Sequence, residues 1–204
     1  MVEDRNPAQR ASFERRLILG GARSGKTSHA ISVAQSLAAA RNAEVTYVAT
    51  AQALDEEMQH RISLHRAERP ATWHTLEAPA KLAQALVRQD EQTILVIDCM
   101  TLWLSNALLR DFRDDAPTAA LPTWDAERSE FLQWLQQRRG AVLLISNEVG
   151  AGIVPIAPVS RRFQDEQGRL NQALAALCEQ VTLVVAGLAV PIKPPALTPP
   201  ALTE

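Results

Sequence analysis

The stretch from Leu17 to Thr27, LILGGARSGKT, constrains the fold more than any other part of this chain. A short apolar run (Leu17, Ile18, Leu19) closes on Gly20, and Gly20 to Thr27 fit the phosphate-binding pattern G-x-x-x-x-G-K-[ST]. Glycines let backbone N–H groups turn inward around phosphate oxygens with no Cβ in the way. Lys26 is spaced to reach the β and γ phosphates, and the Thr27 hydroxyl to ligate Mg²⁺. A helix opening at Gly25 adds its positive N-terminal end. An ordinary Gly-rich strand–turn–helix is the bland alternative. The pattern demands a strand before it and a helix after it. Both are in place, the helix as SHAISVAQSLAAA, so a nucleoside triphosphate is the expected ligand.

The rest of the chain alternates strand and helix. Residues 1–15 read as a flexible arm, with a strand at 16–20 and a helix to about residue 40. VTYVA (45–49) is a second strand, and the charged run from Asp55 to Arg69 carries one thin helical stripe through Met58 and Ile62. A short strand at 72–77, a helix over 79–89, the apolar strand TILVID (93–98) and a helix over 101–109 follow. After a turn-rich insertion (110–123), Trp124, Phe131, Leu132 and Leu135 share one helical face, and Gly140 is expected to end that helix. AVLLIS (141–146) is a buried strand, 158–180 a long helix, VTLVVAG (181–187) the last strong strand and LAVPIK an edge strand. The tail, 194–204, is Pro-rich and expected to be disordered. Strands that are apolar throughout belong to a parallel sheet covered on both faces. The expected class is therefore α/β of the P-loop NTPase type, a mostly parallel central sheet with helices on both faces, in one catalytic domain over 16–193.

Composition narrows the partners. A formal net charge of −2 over 204 residues gives no electrostatic reason to expect nucleic acid or an anionic membrane surface. No apolar run reaches the length of a spanning helix, and the polar N-terminus lacks the apolar core of a signal peptide. Cys99 and Cys178 lie in or beside apolar segments without metal-ligand spacing, as buried free thiols of a reducing cytoplasm would.

Asp98, closing an apolar strand downstream of the P-loop, is placed to hold Mg²⁺ together with Thr27; N-capping of the next helix is the competing reading. Asn147-Glu148, with Gly150 and Gly152 behind them, suit either a site wall or a tight turn. Gly168 inside a helical pattern suggests close approach by another backbone or a ligand. The four Trp residues are better placed for a core or interface than for stacking on a ligand. Of His29, His60, His65 and His74, spacing alone selects none.

Several blocks in fixed order carry a resemblance: LGGARSGK, YVATAQALDEEM-x2-RI-x2-HRAERP-x2-W-x-T-x-E, DCMTLWLSN, SNEVGAGIVP and RRFQDEQGRLNQALA. Over residues 16–193 the chain resembles the bifunctional adenosylcobinamide kinase / adenosylcobinamide-phosphate guanylyltransferase family. The resemblance implies phosphorylation of the aminopropanol hydroxyl of adenosylcobinamide with ATP or GTP. Transfer of GMP from GTP to adenosylcobinamide phosphate, through a GMP-histidine intermediate in cobalamin biosynthesis, would follow. It places the guanylylated histidine at His65 and leaves His60 as surface. It implies nucleotide contacts from Gly20, Gly21, Ala22, Arg23, Ser24, Gly25, Lys26 and Thr27, from Thr50, Ala51 and Gln52, from Arg66, Ala67, Glu68 and Arg69, and from Glu77 and Asp98. Lys26 and His65 are the expected catalytic residues, and Glu77 would favour guanine by accepting from its N1 and N2. Arg161, Asp165, Asn171 and Gln172 match the pattern without an assigned role. The resemblance further implies a homotrimer.

The segment holding His65 packs weakly by its own pattern, so it is expected to swing toward the α-phosphate when GTP binds. Two rival readings remain at this level: a monofunctional P-loop kinase with His65 a bystander, and a non-enzymatic NTP-binding assembly module.

Overall fold

The computed structural model describes residues 13–193; most of the expected N-terminal arm and the tail 194–204 lie outside it. In chain order the elements are β1 (Phe13–Gly20), α1 (Lys26–Arg41), β2 (Val45–Ala49), α2 (Glu56–Ala67), β3 (His74–Glu77), α3 (Leu82–Leu86) and β4 (Ile94–Asp98). There follow α4 (Met100–Asp111), α5 (Pro122–Gln137), β5 (Gly140–Asn147), α6 (Pro158–Leu177), β6 (Gln180–Val185) and β7 (Leu188–Lys193). One sheet runs β3-β2-β4-β5-β1-β6-β7. Every neighbouring pair is parallel except β6 with β7. The α/β class with a mostly parallel sheet is thus observed. No helix among the described residues is long and apolar enough to cross a membrane.

Why these strands sit centrally follows from their side chains. Ile94–Ile97 and Ala141–Ile145 are buried on both pleat faces, which only a sheet covered twice can satisfy. On one face α1 supplies Ala30 and Ala34 against Ile18, Tyr47, Val96, Leu143 and Ile145. On the other, α3 to α6 bring Leu82, Leu86, Trp103, Trp124, Phe131, Leu170 and Leu174 against Leu17, Val48, Leu95, Ile97, Val142 and Leu144. Trp103 and Trp124 meet edge-on with centroids 5.1 Å apart, and both are fully buried. Each indole N–H still needs a partner. Trp103 Nε1 donates to Glu127 Oε2 (2.9 Å) and Trp124 Nε1 to Glu166 Oε2 (3.1 Å). The tryptophans are core, as their sequence context indicates.

Some boundaries differ from the sequence reading, each for a local reason. β1 starts at Phe13 because Arg15 pairs with Glu179 (2.5 Å) and so ties the strand's first half to the start of β6. The helix expected over 79–89 shrinks to Leu82–Leu86, since Lys81 adopts a left-handed conformation (φ 49°) just ahead of it. Gly140 does not stop α5, which ends at Gln137 with Arg138 already extended. It opens β5 at φ +102°, where a Cβ would collide with the Glu91 carbonyl oxygen. α2 is the outlier among the helices: Asp55 caps it, accepting from Met58 N at 2.7 Å, yet none of its residues is buried.

Candidate active site

Four parallel strands deliver their C-terminal ends to one edge of the sheet, where such folds hold ligands. Gly20 ends β1, Ala49 ends β2, Glu77 ends β3 and Asp98 ends β4. The P-loop fills the gap between β1 and α1. Gly25 is the helix N-cap at φ 98°, and Lys26 and Thr27 are the first helical residues. A side chain at Gly20 would strike the Val184 carbonyl oxygen and Ser24 Oγ. The turn between β6 and β7 braces the loop from outside through Gly187 N–H donating to Ser24 O (2.9 Å). Gly21, Ala22 and Arg23 are exposed, so their amides remain open to a ligand.

Three P-loop side chains have the polarity a triphosphate requires. Lys26 is 7% exposed and donates from Nζ to Gly21 O (2.5 Å). Burial lowers its pKa, opposed by the nearby Asp98 carboxylate. Ser24 Oγ is buried with no hydrogen-bond partner, an acceptor and donor left over for a ligand. Thr27 Oγ1 donates to Asp98 Oδ2 at 3.0 Å. Asp98 does not cap α4: that role falls to Cys99, whose Sγ accepts from Leu102 N (3.4 Å). Burial, with Asp98 adding, pushes the Cys99 thiol up to about 12, so it is inert as a nucleophile. Among the described residues no cluster of three or more His, Cys, Asp or Glu is arranged for a metal ion. The Thr27–Asp98 pair nevertheless presents hard oxygens of the type Mg²⁺ takes when phosphates and water complete its shell.

Tyr47 belongs to this site although nothing in the sequence singled it out. It is 1% exposed in β2, and its hydroxyl donates to the same Asp98 Oδ2 that Thr27 reaches. Burial first, then the Asp98 charge, pushes the phenol well above its ordinary value, so Tyr47 remains a donor at any working pH. The Arg69 guanidinium lies 3.4 Å from the centroid of its ring, a cation–π contact. Arg69 Nε also donates to His65 O at 2.9 Å. A contact path therefore runs from Thr27 through Asp98, Tyr47 and Arg69 to the backbone of His65. Tyr47→Phe keeps the stack and removes one donor to a carboxylate, a bond worth about 1.5–3 kcal/mol. We expect at least about a tenfold weaker triphosphate affinity by calorimetry, and a melting temperature lower by about 3–12 °C because the bond is already made in the free protein.

The remaining predicted positions divide. His65 sits in the last turn of α2 with Nδ1 3.6 Å from Glu68 Oε2, within ion-pair reach, and its side chain is half exposed. His60 is exposed on the same helix. Arg66, Ala67 and Glu68 are exposed beside it. Ala51 and Gln52 are partly buried in the segment between β2 and α2. Thr50 is spent on structure: its hydroxyl donates to Cys99 O (2.7 Å) and accepts from Cys99 N (2.8 Å), clamping β2 to β4. Glu77 is exposed, in register with Ala49. Asn147 N accepts no ligand role by itself; it donates to Thr101 Oγ1 (2.8 Å), while Glu148 N–H donates to Gly20 O (3.1 Å) and joins this loop to the P-loop. A cavity of about 480 Å³ around Arg15, Gln136 and Lys193 borders the first half of β1, away from these strand ends.

The comparisons with known proteins agree with one another. A family described as cobinamide kinase / cobinamide phosphate guanyltransferase matches residues 16–192. The bifunctional adenosylcobalamin biosynthesis protein CobP of Pseudomonas aeruginosa is 48% identical over 180 residues, covering 88% of this chain and 97% of that protein. The bifunctional adenosylcobalamin biosynthesis proteins CobU of Escherichia coli and Salmonella typhimurium are each 37% identical, over 87% of this chain and 98% of theirs.

Proposed function

The chain belongs to the cobinamide kinase / cobinamide phosphate guanyltransferase family, and from that premise we propose how its residues divide the two reactions. It phosphorylates adenosylcobinamide and then transfers GMP from GTP to the resulting phosphate, both on the single P-loop among the described residues. The observation that carries this reading is the cluster at the strand ends: Lys26, an unpartnered Ser24 hydroxyl, and Thr27 with Asp98, linked by contact to the helix that bears His65.

In the kinase step the P-loop amides and Lys26 grip the γ-phosphoryl group as it passes from ATP or GTP to the aminopropanol hydroxyl. Thr27 and Asp98 would hold Mg²⁺, which when bound neutralises charge on the β and γ phosphates. In the transferase step His65 is the nucleophile. Glu68 faces Nδ1 and so favours the tautomer with its lone pair on Nε2. That nitrogen attacks the α-phosphorus, the bond to the bridging oxygen breaks, and pyrophosphate leaves. The Nδ1 proton is stabilised by the Glu68 carboxylate on the imidazolium so formed. An oxygen of the corrinoid phosphate then attacks the same phosphorus, and the P–N bond breaks to regenerate neutral imidazole. Arg66 and Arg69 suit phosphate oxygens through their planar forks, and Glu77 suits the guanine edge.

The geometry of α2 supports movement in this scheme. With no buried residue, and its C-terminal turn followed by the Arg69–Tyr47 stack, it can pivot without breaking a core. Residues 55–69 should gain hydrogen-exchange protection when GTP is added, and equal protection with and without nucleotide would remove the pivot from the scheme. The exposed apolar side chains of Val185, Leu188, Val190 and Ile192 suit a homo-oligomer, in line with the trimer expected from the resemblance. The two buried free thiols suit a cytoplasmic setting.

The test of the reading is incubation with α-³²P-GTP alone. A phosphoramidate gives protein-bound label that survives alkali and is lost in acid. A monofunctional kinase would retain no label.

A further inference from the structure

On the sheet face opposite α1, the loop after β5 and the outer flank of α6 border an open cleft of about 410 Å³. Its floor is Gly168, and the open space there is unusual. A Cβ at Gly168 would meet nothing within 4 Å, so no packed backbone requires a glycine in the middle of this helix. The loop repeats the pattern. Gly150 and Gly152 both lack a positive φ, and a Cβ at Gly152 would also meet nothing. No left-handed backbone requires glycine at either position, and the missing side chains at Gly152 and Gly168 leave the cleft open.

Two of the polar side chains that line it, Asp165 and Gln172, are uncommitted. Asp165, Gly168 and Gln172 lie at i, i+3 and i+7 on α6, one stripe of the helix. Neither the Asp165 carboxylate nor the Gln172 carboxamide has a hydrogen bond or ion pair among the described residues. Gln164, by contrast, fixes the loop by donating to Val149 O (3.1 Å), and Asn171 Nδ2 donates to Asn147 O (3.0 Å). The Glu148 N–H bond to Gly20 O then attaches the same loop to the P-loop. Beyond the polar floor, Ile153, Val154 and Ile156 are 96%, 70% and 96% exposed.

The one cation in the lining, Arg169, is already paired with Glu166 (2.7 Å), so beside the free Asp165 carboxylate a phosphate is disfavoured, and no aromatic side chain lines the cleft for a base to stack on. An apolar ledge beside one carboxylate and one carboxamide instead fits a macrocycle with apolar faces and primary amides around its edge. That is the chemistry of a corrinoid. We propose that this cleft receives one edge of the corrinoid acceptor, with Asp165 and Gln172 pairing to its peripheral amides and the 153–156 segment covering a ring face. The inference rests on the acceptor being a cobinamide. The cleft is smaller than a corrin, so it takes an edge with its amide arms.

The two half-reactions separate this inference from its premise. Formation of acid-labile label from α-³²P-GTP requires no corrinoid; discharge of that label to adenosylcobinamide phosphate does. In the full chain, Gly168→Leu fills the cleft and Gln172→Ala removes one exposed partner at little risk to folding. Both should form the label at the wild-type rate. The acceptor concentration for half-maximal discharge should rise at least about tenfold in Gly168→Leu and about fivefold in Gln172→Ala, the scale of one lost hydrogen bond. Unchanged acceptor dependence in both variants overturns the proposal. So does a Gly168→Leu protein of altered sedimentation with unaltered acceptor dependence, because the cleft would then be a contact between copies. Absence of label in the wild-type protein would instead overturn the GMP-histidine reading, and is distinguishable from either.

Discussion

His65→Ala should abolish labelling by α-³²P-GTP and lower GMP transfer by at least about a thousandfold, the scale of losing a covalent nucleophile. Phosphorylation of adenosylcobinamide should stay within about twofold of wild type, since no γ-phosphoryl contact depends on the imidazole. The selectivity follows from where His65 sits. α2 has no buried residue, so truncating one of its exposed side chains should change stability by no more than about 0.5 kcal/mol. Loss of transfer then reports chemistry rather than unfolding. No neighbour can take over. His60 is five residues earlier on the helix, about 140° round its axis by helical geometry, and points elsewhere when the last turn faces the nucleotide. His60→Ala is therefore the matched control, with wild-type labelling expected. Retained, base-stable label in the His65 variant would sink the assignment, and label lost from both variants would point to α2 as a scaffold rather than to one imidazole.

The physical signals in the sequence were unequal, which explains what could be read from it. Strands buried on both faces announce themselves, and VTYVA, ILVID and AVLLIS mark β2, β4 and β5 nearly to the residue. The P-loop carries its own geometry, because each glycine and the Lys-Thr pair answer to one phosphate cradle. Long-range partners leave no such trace. Tyr47 reads as one more core aromatic in an apolar strand, and only the pairing of β2 with β4, Ala49 opposite Asp98, brings its hydroxyl to the carboxylate. Thr50 looks like a ligand group at a strand end, yet it clamps Cys99 across 49 residues of sequence. Gly140 resembles a helix stop because Arg138 and Gly140 follow an amphipathic run. The constraint it answers is the Glu91 carbonyl on a distant turn. His65 was legible only through resemblance, since an exposed histidine on a charged helix has no pattern of its own. The free stripe of Asp165, Gly168 and Gln172 shows the opposite case: the residues are plain in the sequence, but their lack of partners appears only in three dimensions.

Lys26→Met should lower kcat/KM for both reactions by about a hundredfold to a thousandfold, the loss seen when one preorganised charge at a reacting phosphate is removed. Methionine keeps most of the apolar stem, so the packing of a side chain that is 7% exposed survives. The parked contact from Nζ to Gly21 O is lost with it, but that carbonyl lies on an exposed loop residue and can turn to water. What distinguishes this variant from His65→Ala is its breadth. A shared P-loop holds the triphosphate for attack at either the γ or the α position, so removing its ammonium weakens both. Two separate nucleotide sites would make the effect fall on phosphorylation alone, with labelling at His65 intact. Measuring both reactions on the same preparation therefore decides between one triphosphate grip and two. A Lys26→Met protein that phosphorylates poorly but accepts GMP at the wild-type rate would rule out the shared site.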